Sequence, residues 1–115
     1  MKTAIYHNPR CSKSRAALEL LRNSGIEPEI IEYLNHPPDK QSLQRLLVLL
    51  GMEPRELMRK HETAYREAGL DDPTLDREQL IDAMVEYPVL IERPIVVANG
   101  KAVIGRPPEK VLEIL

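Results

Sequence analysis

The residues best suited to chemistry lie near the N-terminus, around Cys11, the sole cysteine of the 115-residue chain. Cys11 stands inside the segment from His7 to Arg15 (HNPRCSKSR), which holds three basic side chains, one histidine and two serines. A cysteine reacts as its thiolate, and nearby positive charge stabilises that form. This setting favours a reactive thiol over a buried, inert cysteine.

The spacing within this segment fits neither of two well-known cysteine sites, the Cys-x-x-Cys pair and the tyrosine-phosphatase loop. Ser14 stands where a Cys-x-x-Cys pair would have its second cysteine, so the chain forms no local disulfide and any second thiol must come from another molecule. The Cys-x5-Arg spacing of a tyrosine-phosphatase loop is also absent, because Arg15 follows Cys11 after three residues.

The elements around this segment place Cys11 at the start of a helix. Residues 2–6 are typical of a short strand, and Asn8-Pro9 interrupts it. A helical apolar period begins at Ser12 and ends at Gly25, and residues 28–34 predict a second strand. Strand, crossover helix and strand imply two parallel strands. The helix dipole and its free N–H groups would then favour a thiolate at Cys11.

A helical insertion is predicted over about residues 39–86, within a single domain that covers residues 1–115. It comprises a helix capped by Asp39 or Ser42 and stopped by Gly51, a helix from Pro54 through Leu57 and Met58 toward Tyr65, and a helix with an Asp76–Gln79 capping box that ends before Pro88.

The C-terminal part returns to strands. Residues 94–98 and 101–104 flank Asn99-Gly100, the strongest short hairpin signal. A last helix is predicted from Pro108, with Val111, Leu112 and Leu115 facing inward. The predicted order is β-α-β, helical insertion, β-β-α, an α/β fold.

Charge and composition narrow the classes of partner. The net charge is −2, yet residues 1–15 carry four bases and no acid, and residues 93–115 carry four bases and two acids. If the two ends meet, they form a positive site that suits a small anion on an acidic protein. Four tyrosines, with no Trp or Phe, argue against nucleic-acid stacking surfaces. The longest apolar run, Leu46–Leu50, is too short for a membrane span, so we expect a cytoplasmic protein.

Four motifs in order resemble the arsenate reductase family that uses glutathione and glutaredoxin. They are His7-Asn8-Pro9-x-Cys11-x-x-Ser14-Arg15, Leu57-Met58-Arg59-Lys60, Glu92-Arg93-Pro94-Ile95-Val96-Val97 and Arg106-Pro107. The resemblance covers essentially the whole chain. It implies a thioredoxin-like fold, with a four-stranded mixed sheet flanked by helices and a helical insertion, and a cis peptide at Arg93-Pro94.

The same resemblance assigns roles to seven residues. Cys11 matches the catalytic nucleophile, and His7 matches a histidine that helps to keep that cysteine ionised. Arg59, Arg93 and Arg106 match three arginines that hold the arsenic oxyanion. Ser14 and Arg15 match positions in the loop around the cysteine, and we group them with the substrate-binding residues.

The implied reaction is the reduction of arsenate to arsenite. The Cys11 thiolate attacks arsenic, glutathione attacks next, and glutaredoxin takes up the glutathione as arsenite is released. Glutathione is a co-substrate in this scheme, with no resident cofactor and no metal. We expect a monomer that meets glutaredoxin transiently.

Three alternatives stay open at this point. The first is a glutathione-dependent thiol reductase of another substrate, which would need Cys11 and His7 but not all three arginines. The second is a redox regulator of transcription that resembles the Spx proteins, although these usually carry Cys-x-x-Cys where this chain has Ser14. The third is an interaction module that binds through the helical insertion.

Overall fold

A computed structural model describes residues 2–115, which form two compact units. The first unit contains the chain up to His36 together with Arg93–Leu115, and the second is Pro37–Glu92. In residues 2–115 no helix is long and apolar enough to cross a membrane.

The first unit is built on a four-stranded sheet with the strand order β2-β1-β3-β4. The strands are β1 (Ala4–Tyr6), β2 (Glu29–Ile31), β3 (Ile95–Ala98) and β4 (Lys101–Ile104). β1 pairs with β2 in parallel, whereas β3 is antiparallel to both β1 and β4. The predicted mixed sheet is therefore confirmed, as is the parallel pairing across the crossover helix.

The register of β1 defines one end of this sheet. Tyr6, the last residue of β1, pairs with Ile31 at the end of β2 and with Ile95 at the start of β3. The chain leaves β1 at this end and enters β3 from it. We call it the site end of the sheet, because the loop that carries Cys11 begins there.

Helix α1 (Ser12–Asn23) connects β1 to β2 and covers the sheet. Its apolar side chains recur at helical spacing, so one face is buried while the opposite face is solvated. Gly25 follows the helix with a φ of 80°, which a residue without Cβ adopts at little cost. The buried face joins a core with strand and C-terminal residues: Ile5, Ala17, Leu18, Leu21, Val96, Ala98, Val111 and Ile114.

The predicted hairpin is confirmed. Asn99 and Gly100 have φ values of 54° and 73°, and both residues therefore adopt the left-handed conformation that a two-residue type I′ turn requires. Asn99 also donates a side-chain hydrogen bond of 2.9 Å to the carbonyl of Ile114, which ties the turn to the C-terminal segment.

The last element is a 3₁₀ helix over Pro108–Ile114. Val111 and Ile114 are buried, but Leu112 and Leu115 are 47% and 40% exposed, so the prediction that both leucines face inward was wrong. A 3₁₀ helix has three residues per turn, which places positions 111 and 114 on one face and turns position 112 away.

Gly105 follows β4 at a place where even a Cβ atom would be crowded. An added Cβ would lie 2.9 Å from Cγ of Pro94, 3.2 Å from Cγ1 of Val111 and 3.4 Å from Cβ of Ala17. We expect Gly105→Ala to lower the free energy of unfolding by about 1–3 kcal/mol, because this tightly packed contact must open. Chemical denaturation of the two proteins measures the difference, and equal midpoints would show that the neighbours move aside freely.

The second unit is the helical insertion. Its helices are α2 (Lys40–Leu50), α3 (Pro54–Leu57), α4 (Thr63–Glu67) and α5 (Arg77–Glu86), followed by a 3₁₀ turn at Pro88–Leu90. α5 packs against α2, α3 and the 3₁₀ turn. Asp39 caps α2 by accepting the N–H of Ser42, and Asp76 and Gln79 form the predicted capping box of α5.

The predicted helix from Pro54 toward Tyr65 was wrong in its length. α3 ends at Leu57, because Met58 forms an antiparallel bridge with Ile91. The N–H of Glu92 donates to the carbonyl of Leu57 at 2.9 Å, and the N–H of Arg59 donates to the carbonyl of Leu90 at 2.7 Å. Arg59 therefore lies on an extended segment rather than on a helix surface.

Candidate active site

Cys11 is the N-cap residue of α1 and stands where the chain from β1 turns into the helix. Its φ and ψ of −94° and 122° are extended, while its carbonyl already accepts the N–H of Arg15 at 3.0 Å. Its own N–H donates to the carbonyl of Asn8 at 3.0 Å, which closes a turn over residues 8–11. Cys11 is only 9% exposed, so its surroundings cover most of the residue.

Two arginines from the C-terminal part of the chain meet this sulfur. The Arg93 side chain hydrogen-bonds Cys11, and Nη2 of Arg106 donates to Sγ of Cys11 at 3.7 Å. Nε of Arg106 also donates to the carbonyl of Arg93 at 2.8 Å, which orients its guanidinium group. The structure thus brings Cys11, Arg93 and Arg106 together at the site end of the sheet.

Both of these arginines precede a proline in a cis peptide. The cis bond at Arg93-Pro94, which the family resemblance implied, is present, and Arg106-Pro107 is cis as well. The second cis bond was not predicted. In the sequence, Pro107 stands in a loop and is followed by Pro108 at the start of a predicted helix. The neighbouring residues therefore did not distinguish a cis peptide bond before Pro107 from the usual trans bond.

The surroundings of the thiol favour its ionised form. Burial raises the pKa of Cys11, but hydrogen bonds from the backbone N–H of Ser14, from the Arg93 side chain and from the N–H of Lys13 outweigh it. The positive charge of Arg93 acts in the same direction, and the net result is a pKa below the ordinary thiol value. The helix N-terminus and an arginine therefore act together, as reactive cysteines require.

The lowered pKa gives a direct expectation for alkylation. The rate of reaction with iodoacetamide should follow the thiolate fraction and reach half its plateau at a pH below that of a free cysteine, which titrates at about 8.5. Alkylation reactions are quenched at set times across a pH series, and the alkylated fraction is measured by mass spectrometry of the intact protein. The dependence of the rate on pH gives this midpoint. A midpoint at or above that of a free thiol in the same buffers would contradict the described electrostatics.

His7 and Ser14 form a buried pair behind the cysteine. Nδ1 of His7 lies 2.6 Å from Oγ of Ser14, which also accepts the N–H of Asn8 at 3.0 Å. Burial lowers the pKa of His7; Glu32 opposes this effect, and Arg22 and Arg15 add to it. The imidazole is thus held toward its neutral form. Its contact with the site is Ser14, whose backbone N–H hydrogen-bonds the Cys11 sulfur.

Ser14 and Arg15 differ in how accessible they are. The Ser14 side chain is fully buried, and its hydroxyl hydrogen-bonds both Nδ1 of His7 and the N–H of Asn8. Ser14 therefore interacts with the Cys11 sulfur through its backbone N–H. Arg15 is exposed, and its Nη1 donates to the carbonyl of Pro9 at 2.9 Å. This bond ties the first turn of α1 back to the loop that precedes it.

Arg59 belongs to the second unit and is held there by two carboxylates. Its Nη1 lies 2.8 Å from Oε1 of Glu92, and its Nε lies 3.1 Å from Oε1 of Glu62. The side chain is only 11% exposed, and Nη2 lies 3.1 Å from Nε2 of His61. Glu62 is three residues from Arg59 in the sequence, whereas Glu92 is 33 residues away and becomes a partner through the bridge of Met58 to Ile91.

The predicted effect of free helix N–H groups is specific in the structure: the N–H groups of Lys13 and Ser14 hydrogen-bond the Cys11 sulfur. The first N–H groups of a helix lack partners inside it, which is why the strand-to-helix transition predicts a stabilised thiolate here. The sequence did not predict the turn that the N–H of Cys11 closes with the carbonyl of Asn8. Within residues 2–115, no cluster of three or more His, Cys, Asp or Glu side chains is arranged to hold a metal ion.

Comparison with known proteins shows which family this chain belongs to. The ArsC family model matches residues 6–114, almost the whole chain. The chain belongs to the ArsC family. The match spans the Cys11 loop, the helical insertion and both arginines on the sulfur.

Individual relatives of the ArsC family match along nearly their full length. An uncharacterised Escherichia coli K12 protein, YfgD, is 61% identical over 96% of this chain and 94% of its own. A Neisseria meningitidis serogroup A arsenate reductase is 50% identical over 96% of both chains. The structure of a Vibrio cholerae arsenate reductase superposes with a TM-score of 0.97 at 54% identity, covering 100% of this chain and 98% of that one. The thioredoxin-like fold implied by the sequence is confirmed.

Proposed function

We propose that this protein is an arsenate reductase, in which the Cys11 thiolate attacks arsenic and glutathione and glutaredoxin supply the electrons. The observation that carries the proposal is the meeting of Arg93 and Arg106 at the Cys11 sulfur, at the N-terminus of α1. Family membership and the arsenate reductases among the relatives support the choice of substrate.

The chemistry of the site suits a tetrahedral dianion. Arsenate carries two negative charges near neutral pH, and planar guanidinium groups match its oxygen atoms with paired hydrogen bonds. The free N–H groups of a helix N-terminus also favour an anion. Because the same groups surround the sulfur, they hold arsenate next to the thiolate and stabilise the charge that develops as the S–As bond forms.

The proposed sequence of steps consumes two thiols for each arsenate. Cys11 forms a bond to arsenic and one oxygen leaves as water, with arsenic still As(V). The glutathione thiol displaces a second oxygen as water. A glutaredoxin thiolate then attacks the glutathione sulfur, and the electron pair of the As–S bond stays on arsenic, which becomes As(III). Hydrolysis of the Cys11–As bond releases arsenite and restores the thiolate.

The roles proposed for the other site residues rest on different observations. Arg93 and Arg106 are proposed to bind arsenate because they already face the sulfur. His7 and Ser14 are proposed to keep the thiolate positioned through the Ser14 N–H. Arg15 hydrogen-bonds the carbonyl of Pro9 and stays a predicted substrate-binding residue, and Arg59 is proposed as a third oxyanion ligand; both rest on their family positions alone. We further propose that the enzyme acts as a monomer in the cytoplasm.

A coupled assay tests this function. The protein is mixed with arsenate, glutathione, glutaredoxin and glutathione reductase, and NADPH oxidation is followed together with arsenite formed. We expect arsenite in amounts equal to NADPH consumed, with a large loss of rate when either thiol donor is omitted. No arsenite above a protein-free blank, or reduction of a glutathionylated peptide in place of arsenate, would contradict the proposal.

A further inference from the structure

Arg59 lies in a cluster of polar and charged side chains within the second unit. Its Nη1 lies 2.8 Å from Oε1 of Glu92, and its Nε lies 3.1 Å from Oε1 of Glu62. Its third nitrogen, Nη2, lies 3.1 Å from Nε2 of His61. Every nitrogen of the guanidinium group therefore has a hydrogen-bond partner inside the same unit. We call these four residues the Arg59 cluster.

Backbone pairing brings Glu92 to Arg59. Met58 forms an antiparallel bridge with Ile91, and the N–H of Arg59 donates to the carbonyl of Leu90 at 2.7 Å. Arg59 and Glu92 each stand next to a bridge residue in the sequence, within the reach of two long side chains on paired segments. The position of Glu92 is therefore set by backbone hydrogen bonds as well as by the ion pair.

A turn brings Glu62 to the same guanidinium group. The N–H of Glu62 donates to the carbonyl of Arg59 at 3.2 Å, which closes a turn over residues 59–62. Glu62 is also the N-cap residue of α4, so the start of that helix fixes its backbone. Both carboxylates are thus placed by the backbone, and they stay near residue 59 even when an ion pair opens.

The charges of the Arg59 cluster do not cancel. Two carboxylates face one guanidinium group, which leaves a surplus of one negative charge. A guanidinium group only donates hydrogen bonds, so Nε2 of His61 accepts in this contact and its imidazole adds no charge. Burial lowers the pKa of Arg59, but the hydrogen bonds to Glu62 and Glu92 outweigh it and raise that pKa. Arg59 is therefore a permanent cation whose charge its neighbours already offset.

We propose that Glu62 and Glu92 determine how strongly this protein binds arsenate, because they compete with the oxyanion for Arg59. The proposal rests on the proposed function, in which Arg59 is a third oxyanion ligand. A dianion that binds Arg59 either displaces a carboxylate or binds beside both, and in each case like charges come close together. The two glutamates therefore keep the contribution of Arg59 to arsenate binding small.

Steady-state kinetics of two glutamine variants test this competition. Glu62→Gln and Glu92→Gln keep an oxygen that accepts an N–H of Arg59 but remove the negative charge. We expect each to lower the KM for arsenate by about 3–10-fold with kcat within about twofold, because repulsion is removed and the thiolate is untouched. Glu27→Gln, in the exposed Arg22–Glu27 ion pair, is the matched control and should leave the KM unchanged. A KM that rises or stays the same in both glutamine variants would overturn the proposal, since the glutamates would then only orient Arg59 or stabilise the fold.

A double-mutant cycle shows whether the effect passes through Arg59. In an Arg59→Gln protein, the further change Glu92→Gln should alter the KM for arsenate by less than about twofold, because no guanidinium group is left to compete for. Chemical denaturation shows that each variant is folded. The same gain in the presence and absence of Arg59 would mean that Glu92 repels arsenate without acting on Arg59, against the proposal.

An equilibrium measurement keeps the test independent of turnover. Protection of Cys11 from iodoacetamide by arsenate is measured without any thiol donor in the native protein, Glu62→Gln and Glu92→Gln. We expect half-maximal protection at about 3–10-fold lower arsenate in both variants. If the native protein reduces arsenate but this concentration does not move, the competition fails and the proposed function stands. If no arsenite forms while both variants still tighten protection, the proposed function fails and the competition stands.

Discussion

Cys11→Ser is expected to reduce arsenate turnover by at least about 10³-fold, to the background of the assay, because the thiolate carries the first bond to arsenic. A serine hydroxyl stays protonated in the same surroundings and is a far poorer nucleophile. The backbone N–H groups of α1 and the arginines at residue 11 remain in the variant. The loss should therefore appear in the chemical step, which the coupled assay measures as a loss of kcat.

The fold of this variant provides the control. Serine is a favoured N-cap residue, so Cys11→Ser should leave the free energy of unfolding within about 1 kcal/mol of the native value. Circular dichroism and chemical denaturation measure that difference. A variant that remains folded and still reduces arsenate at a comparable rate would show that Cys11 is not the nucleophile.

Arg106→Lys should lower kcat/KM for arsenate by about 10²-fold, the usual effect of removing one donor from a preorganised oxyanion site. The lysine ammonium keeps the charge, but it cannot bind the Arg93 carbonyl through Nε and offer Nη2 to the sulfur at once. Reactivity toward iodoacetamide should change much less, because Arg93 and the N–H groups of α1 still stabilise the thiolate.

The contrast between the two readouts is what identifies an oxyanion ligand. If Arg106→Lys slows alkylation and arsenate reduction by the same factor, Arg106 serves the thiol and not the substrate. Arg45→Lys, at an exposed position of α2, is the matched control and should leave both rates within about twofold. Equal arsenate kinetics in native protein and Arg106→Lys would remove Arg106 from the substrate site.

Local signals in the sequence were enough to predict much of the fold. Asp76 and Gln79 predict a helix start because their side chains hydrogen-bond the unpaired backbone N–H groups there. Asn99-Gly100 predicts a two-residue hairpin because both residues readily adopt left-handed backbone angles. The position of Cys11 at the start of α1 followed in the same way from a strand, a break and a helical period. These features depend on neighbours in the chain, so a single sequence contains them.

Contacts between distant residues were harder to foresee. The bridge of Met58 to Ile91 shortened the predicted helix from Pro54, since a backbone pairing over more than thirty residues replaced the local helix bonds. The 3₁₀ form of the C-terminal helix likewise changed which leucines face inward. The bridge is a tertiary pairing that overrode a local helical period, whereas the C-terminal difference follows from three residues per turn in place of 3.6.

The candidate active site also combines features that are local in the sequence with contacts between distant residues. Cys11 and the basic residues of its loop are adjacent in sequence, but Arg106 reaches the sulfur across 95 positions through the pairing of β3 with β1 and β4. Charge distribution suggested only that the two ends of the chain meet. The choice of Arg93 and Arg106 came from the family resemblance, and the geometry around the sulfur now supports it independently.

Protection of Cys11 by arsenate is the most direct test of the central proposal, that the thiolate and its arginines form one oxyanion site. Alkylation of the native protein by iodoacetamide is followed by mass as arsenate is added, with no thiol donor present. We predict that arsenate slows alkylation in a saturable way, and that Arg106→Lys requires a markedly higher arsenate concentration for the same protection. An alkylation rate that arsenate leaves unchanged, up to concentrations that saturate turnover, would contradict the proposal.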